Sequence, residues 1–198
     1  MTSEPIVDSN ITLDEALLPE PGKPTCPNDI LKRQQLLTVH YLSFDGKIHR
    51  GQLVIDEELE ADMLEMFEMA RELEFPIAKV VPNAHPNYKW NAHKLVVVDN
   101  VSAGFNYRKI KDTNELSCHS YGKAIDLNPK QNPYIRYKNG TETVFPENAR
   151  WDPKKPGTLH SSHRLVQFME LRGWEWGGNW AKKNGVVDYM HFQKTNQL

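Results

Sequence analysis

Ser117-Cys118-His119-Ser120-Tyr121-Gly122-Lys123-Ala124-Ile125-Asp126 sets a histidine just ahead of a short apolar stretch and an aspartate inside it. Ala124, Ile125 and Leu127 read as a buried strand, and a carboxylate among them is costly unless it has a partner. A metal is one such partner, and a salt bridge is the commoner one. Gly122 permits the tight bend that would turn His119 and Asp126 toward one point. Zinc accepts neutral imidazole nitrogens and carboxylate oxygens, and a catalytic zinc uses three protein ligands with one position left open.

A third ligand has to come from elsewhere. Far downstream, Asp188-Tyr189-Met190-His191-Phe192-Gln193 places His191 among apolar residues near the end of a strand. Such a histidine is, by itself, more often a satisfied core residue than a ligand. Asp188 lies three positions earlier, so a flat strand would put the two on opposite faces. They share a site only if the strand begins or bends between them.

Working outward, Leu36 to Ser43 and Ile48 to Ile55 flank Asp45-Gly46, which reads as a β-hairpin. Asp56 reads as a helix N-cap with Glu57 and Glu58 behind it, where the helix dipole favours anions. Leu59, Met63, Met66, Phe67 and Ala70 recur at helical spacing, so a helix is expected from Glu57 to about Glu74, with its methionines in the core. Ala78–Val81 and Leu95–Asp99 read as strands. The Pro-rich stretch from Asn128 to Gly157 holds a second hairpin, Tyr134–Lys138 opposite Thr141–Phe145 around Asn139-Gly140. It reads equally as a substrate flap or as a surface insertion. A last helix is expected from about Ser162 to Arg172, with Gly173 as its stop. Strands clustered with two peripheral helices predict an α+β domain with an antiparallel sheet.

Five prolines before Asn28 deny the N-terminus regular ladders, so residues 1–28 read as a poorly structured arm, with room for a short helical turn around Leu13 to Leu18 where Thr12 and Asp14 offer capping oxygens, and 29–198 as the domain. The arm is expected to take no part in building the active site. The chain has 198 residues, 39% hydrophobic and 25% charged, the range of a globular protein. A formal charge of −2 with no Lys/Arg block gives no reason to expect nucleic acid or an anionic membrane. No apolar run nears the ~20 residues that span a bilayer. Glu4 and Asp8 within an N-terminus lacking an apolar core argue against a secretory signal, so a cytoplasmic start is expected. Cys26 and Cys118 match no metal spacing and read as two thiols.

The ordered pattern Ser117-x-His119-x-x-Gly122-x-Ala124-x-Asp126 … Asp188-x-x-His191 resembles the D-alanyl-D-alanine carboxypeptidase and L-alanyl-D-glutamate endopeptidase family of peptidoglycan zinc peptidases. Phe105-Asn106-Tyr107-Arg108 is similar to the family's arginine segment, and Trp174-x-Trp176-Gly177-Gly178-x-Trp180 to its aromatic-glycine turn. The resemblance covers about Gln34 to Lys194. It implies a Hedgehog/DD-peptidase-like fold, Zn2+ on His119, Asp126 and His191, Asp188 as general base and Arg108 as oxyanion stabiliser. It implies a peptidoglycan stem peptide as substrate, cut by a protein that acts, as a monomer, at the bacterial cell wall after release or delivery. Asp rather than Glu at 188 is similar to the endopeptidase branch, including phage endolysins. D-alanyl-D-alanine carboxypeptidase activity, or a non-catalytic zinc-stabilised binding module, are the alternatives. Trp174, Trp176 and Trp180 could wall the cleft or fill the core. Gln193 could support His191, Asp99 could orient Arg108, and His85, His93, His160 and His163 read as surface residues.

Overall fold

Asp45-Gly46 closes the hairpin as its turn chemistry requires: Gly46 sits at φ +76°, and strands β2 (Gln34–Leu42) and β3 (Ile48–Asp56) pair antiparallel along their whole lengths. The computed structural model describes residues 4–180 and 185–195. Asp56 caps the chain's next turn, its carboxylate accepting from the Glu58 amide, and helix α3 (Glu60–Glu72) follows. The same carboxylate takes a two-pronged contact from Arg33, so one buried acid serves cap and ion pair together. Met63, Met66, Phe67 and Ala70 face inward from α3 and are buried. They pack with Tyr41, Leu53 and Ile55 of the hairpin and with Ile125, Leu127, Trp176 and Phe192 of the site-bearing sheet in one apolar cluster. Helix α4 (Arg164–Leu171) adds Leu165, Val166 and Met169 to that core, and Gly173 at φ +80° ends it.

The remaining strands are short. Strand β6 (Ala124–Asp126) pairs antiparallel with β11 (His191–Gln193), which pairs on its other side with β9 (Glu175–Trp176). Strand β7 (Tyr134–Lys138) pairs with β8 (Thr141–Phe145) and with β10 (Val186–Asp188). Two contacts are parallel: β1 (Ile6–Val7) on β3, and β4 (Lys79–Val80) on β5 (Val101–Ser102). The fold is therefore α+β, with several small antiparallel sheets rather than one large one. Among the described residues no helix is long and apolar enough to cross a membrane.

Two expectations need correction. Leu95 to Asp99 is no strand: His93–Val98 forms a wide helical turn. Asn91 starts it, its side chain accepting from the Lys94 amide and its carbonyl from that of Leu95. This local capping outweighs the β preference of three consecutive valines, of which Val98 is exposed. Nor are residues 4–28 poorly structured. Ser9 donates to Gln52 Oε1, which also accepts from the Ile11 amide, and Asp8 accepts from Tyr41 and His49. Ala16 of α1 (Leu13–Ala16) and Cys26 are buried against Val54 and Phe105, and α2 (Asn28–Leu31) leads into β2. Proline excludes ladder hydrogen bonds, but it does not prevent docking through side chains. Residues 1–3 and 196–198, at the ends of the expected arm and domain, lie outside the described residues.

Gly122 joins the hairpin to the site. It lies at φ +68°, its carbonyl accepts from the Asp56 amide, and an added Cβ would stand 2.1 Å from Gln34 Oε1 and 2.6 Å from the Asp56 nitrogen. Gly122→Ala is expected to cost about 2 kcal/mol of stability through left-handed strain and this clash. Urea unfolding checks it, and a parental midpoint would refute the constraint.

Candidate metal centre and cleft

Three elements converge on one point. His119 sits in a tight helical turn, Cys118–Tyr121, capped by the Ser117 side chain, which accepts from the His119 amide. Asp126 ends β6, and His191 starts β11 directly opposite it in the antiparallel register. Cross-strand partners share a face, so both side chains project to the same side. His119 Nε2 lies 3.1 Å from His191 Nδ1 and 3.3 Å from Asp126 Oδ1, and His191 Nδ1 lies 3.0 Å from Asp126 Oδ1. Ligands at ~2.0–2.1 Å around a tetrahedral zinc stand ~3.3 Å apart, so the triangle has the dimensions of one face of such a site.

The outer nitrogens fix which atoms face inward. His119 Nδ1 donates to the Gly104 carbonyl at 2.6 Å, and a carbonyl can only accept. His191 Nε2 meets Gln193 Oε1 at 3.0 Å, while the amide nitrogen of Gln193 donates to the Glu175 carboxylate and so settles the amide's orientation. Both imidazoles therefore keep their protons on the outside and turn lone pairs toward the Asp126 oxygen. Three converging acceptors repel each other unless a cation joins them, and this group could hold a metal. Without one, His191 carries the load. Burial opposes its charge, but the Asp126 contact outweighs that and raises its pKa. Burial likewise opposes the Asp126 carboxylate, and the two histidines hold it well below the usual range.

Asp188 ends β10, opposite Tyr134. The chain then turns at Tyr189–Met190 before His191 opens β11, and the Met190 carbonyl accepts from the Leu127 amide. This is the bend that the three-residue spacing requires. Asp188 Oδ1 is shut from solvent and has no hydrogen-bond partner among the described residues. Burial pushes its carboxyl up to about 7, with the charge of Asp126 adding to the rise and those of His191 and Arg108 opposing it. Gly177 makes room for it: a Cβ there would lie 2.5 Å from the Asp188 carbonyl oxygen. Arg108 is exposed, and its amide donates to Ser120 Oγ. Its guanidinium makes no hydrogen bond or ion pair among the described residues.

A cavity of about 330 Å³ opens on this centre, lined by His119, Asp126, Arg108, Met190, Trp90, Phe145 and Glu20 among others. Phe145 belongs to the 128–157 excursion, which thus reaches the cleft. Glu20 overturns the expectation that the N-terminal segment stays clear of the site. Trp174 and Trp176 are core, whereas Trp180 lies 5.2 Å from the His191 ring. Asp99 accepts from Tyr88 and pairs with Lys79, not with Arg108. His85 is buried rather than on the surface, and His163 caps α4. Cys26 and Cys118 are free thiols. Sequence reasoning missed Gly104, whose carbonyl orients His119 and whose Cβ would strike the Val54 oxygen at 2.4 Å; only a lone glycine before Phe105 hinted at it. It also missed Asn128 and Asn132. These are fully buried, and their amides tie the end of β6 to Pro76, Gly157 and Leu159.

Residues 111–194 match the family model described as D-alanyl-D-alanine carboxypeptidase. The resemblance read from the motifs is thereby borne out over that span, which contains the three converging residues and Asp188 and begins three positions after Arg108. No curated protein and no solved structure matches the chain.

The parent is expected to bind one divalent metal per chain, and His119→Ala and His191→Ala to lose it. Gln193→Ala, which frees the outer nitrogen of His191, should weaken affinity about 10–100-fold. Competition with a chelating dye measures all three, and full metal retention in both histidine variants would overturn the ligand set.

Proposed function

On the premise of that peptidase match, we propose that the chain is a zinc metallopeptidase that hydrolyses the peptidoglycan stem peptide, as an L-alanyl-D-glutamate endopeptidase. The observation that carries the reading is the triangle of His119, Asp126 and His191 with an unpartnered carboxylate oxygen, Asp188 Oδ1, beside it. Two nitrogens and one oxygen suit zinc, and three ligands leave a coordination position open. The fold would be of the Hedgehog/DD-peptidase kind, acting at the bacterial cell wall.

Zinc bound there supplies a Lewis acid and lowers the pKa of water to about 7. The chain's own residues do the rest. The Asp188 Oδ1, without a donor among the described residues, supports the role of a base that takes a proton from the attacking water and returns it to the leaving amine. Burial raises its pKa, which favours its taking up a proton. A cation among the three ligands opposes the raising effect of Asp126. The Arg108 guanidinium, uncommitted and at the cleft, provides positive charge for the carbonyl oxygen as negative charge develops on it. Met190, Trp90 and Phe145 give the cleft apolar walls that limit the water reaching the scissile bond.

The description of the matched family favours a second reading, removal of a terminal D-alanine. Aspartate rather than glutamate at 188 supports the endopeptidase. Mass analysis of a digested stem peptide distinguishes them. Free fragments beginning at D-Glu are expected, and loss of a single terminal alanine would transfer the activity to the carboxypeptidase reading. Asp188→Asn should retain zinc and lose about 100–10,000-fold in kcat. Arg108→Ala should also retain zinc and lose about 100-fold or more. Parental rates in both variants would leave the mechanism without its base and its oxyanion site.

A further inference from the structure

The cleft carries two uncommitted charges of opposite sign, and only one of them is used above. Arg108 lies beside the metal-ligand end. Glu20, from the N-terminal segment, lines the same cavity. Its side chain makes no hydrogen bond or ion pair among the described residues, so it is not spent on holding the segment in place.

The segment is held by other means on both sides of Glu20. Upstream, β1 pairs with β3, Asp8 takes hydrogen bonds from Tyr41 and His49, and Ser9 is bound to Gln52. Thr12 and Glu15 cap α1 reciprocally, and Ala16 is buried. Downstream, Cys26 is buried in the same apolar cluster as Ala16. Between these anchors, Pro19 and Pro21 flank Glu20 and restrict its backbone, and its carbonyl accepts from the Lys23 amide across Gly22 at φ +77°. The loop is thus short, proline-stiffened and tied at both ends, which keeps Glu20 at the cleft wall at small further entropic cost.

We propose that Glu20 is a specificity-determining residue that recognises a free ammonium group on the peptide substrate, the side-chain amine of a diamino residue. The inference rests on the peptidase reading. Glu20 is half-buried, and a carboxylate with no donor among the described residues gains most from a ligand that brings one. The apolar face of Trp90 in the same cavity suits the methylene stem that carries such an amine.

The test uses two stem peptides, capped at the N-terminus and differing only in acetylation of the diamino side chain, with the zinc-loaded full chain. The parent is expected to show about tenfold higher kcat/KM on the free amine, the ratio that ~1.4 kcal/mol of charge contact yields. Glu20→Gln should bring the two peptides within about twofold by lowering kcat/KM on the free amine, with the zinc content unchanged. Should that variant fold poorly, the parent's own preference should shrink between low and high salt, because a half-exposed ion pair is screened. Equal cleavage of both peptides by the parent, a preference for the acetylated one, or a preference that survives Glu20→Gln would overturn the role of Glu20 and leave the peptidase reading standing. Cleavage of neither peptide by the parent would overturn the peptidase reading and this inference with it.

Discussion

The pairing of β6 with β11 sets His191 directly across from Asp126, and most of the candidate site follows from that register. A slip of one residue would send His191 to the opposite face and bring Phe192 out of the core. The register is held from several sides. Phe192 and Ile125 are buried without exposure, the Leu127 amide reaches Met190 past the end of the ladder, and Trp176 donates its indole N–H to the Tyr189 carbonyl. On the other edge of β6, Ala103 exchanges both backbone hydrogen bonds with Asp126, which places the Gly104 carbonyl where it can hold His119. One short strand therefore carries one candidate ligand, faces a second and aligns the acceptor that orients the third.

The hairpin and α3 serve this arrangement from a distance. Their apolar faces give β6 and β11 a core to rest on, and the Asp56–Gly122 contact ties the cap of the helical segment to the turn that bears His119. The buried amides of Asn128 and Asn132 perform a similar service beyond β6, where the chain leaves the sheet for the excursion that returns with Phe145 at the cleft. Trp151 of that excursion stacks on Tyr189 at 4.4 Å, next to the bend between Asp188 and His191.

What could be read from the residues was whatever chemistry leaves locally. Both hairpins announced themselves through Asp45-Gly46 and Asn139-Gly140, and α3 through the Asp56 cap and its methionine spacing. His119, Asp126, Asp188 and His191 stood out as chemical types in order, and their meeting is a matter of topology that the motif only implied. Long-range consequences were silent. Nothing in the spacing of Ala16 and Cys26 marks them as anchors, because their burial depends on Val54 and Phe105. Nothing in the proline-rich stretch singles out Glu20. The three valines before Asp99 pointed to a strand, while Asn91, a few residues earlier, had already committed the backbone to a turn.

The outward hydrogen bonds of the two histidines have a thermodynamic consequence for loading. Each ring is held in one tautomer and one orientation, His119 by Gly104 and His191 by Gln193, with Glu175 behind the latter. Ordering a side chain on binding costs about 0.5–1.5 kcal/mol, and here that cost is met by folding instead. A metal ion held there would find these side chains already assembled, so its uptake would need little rearrangement of the chain. What would remain is the exchange of hydration water for three protein atoms.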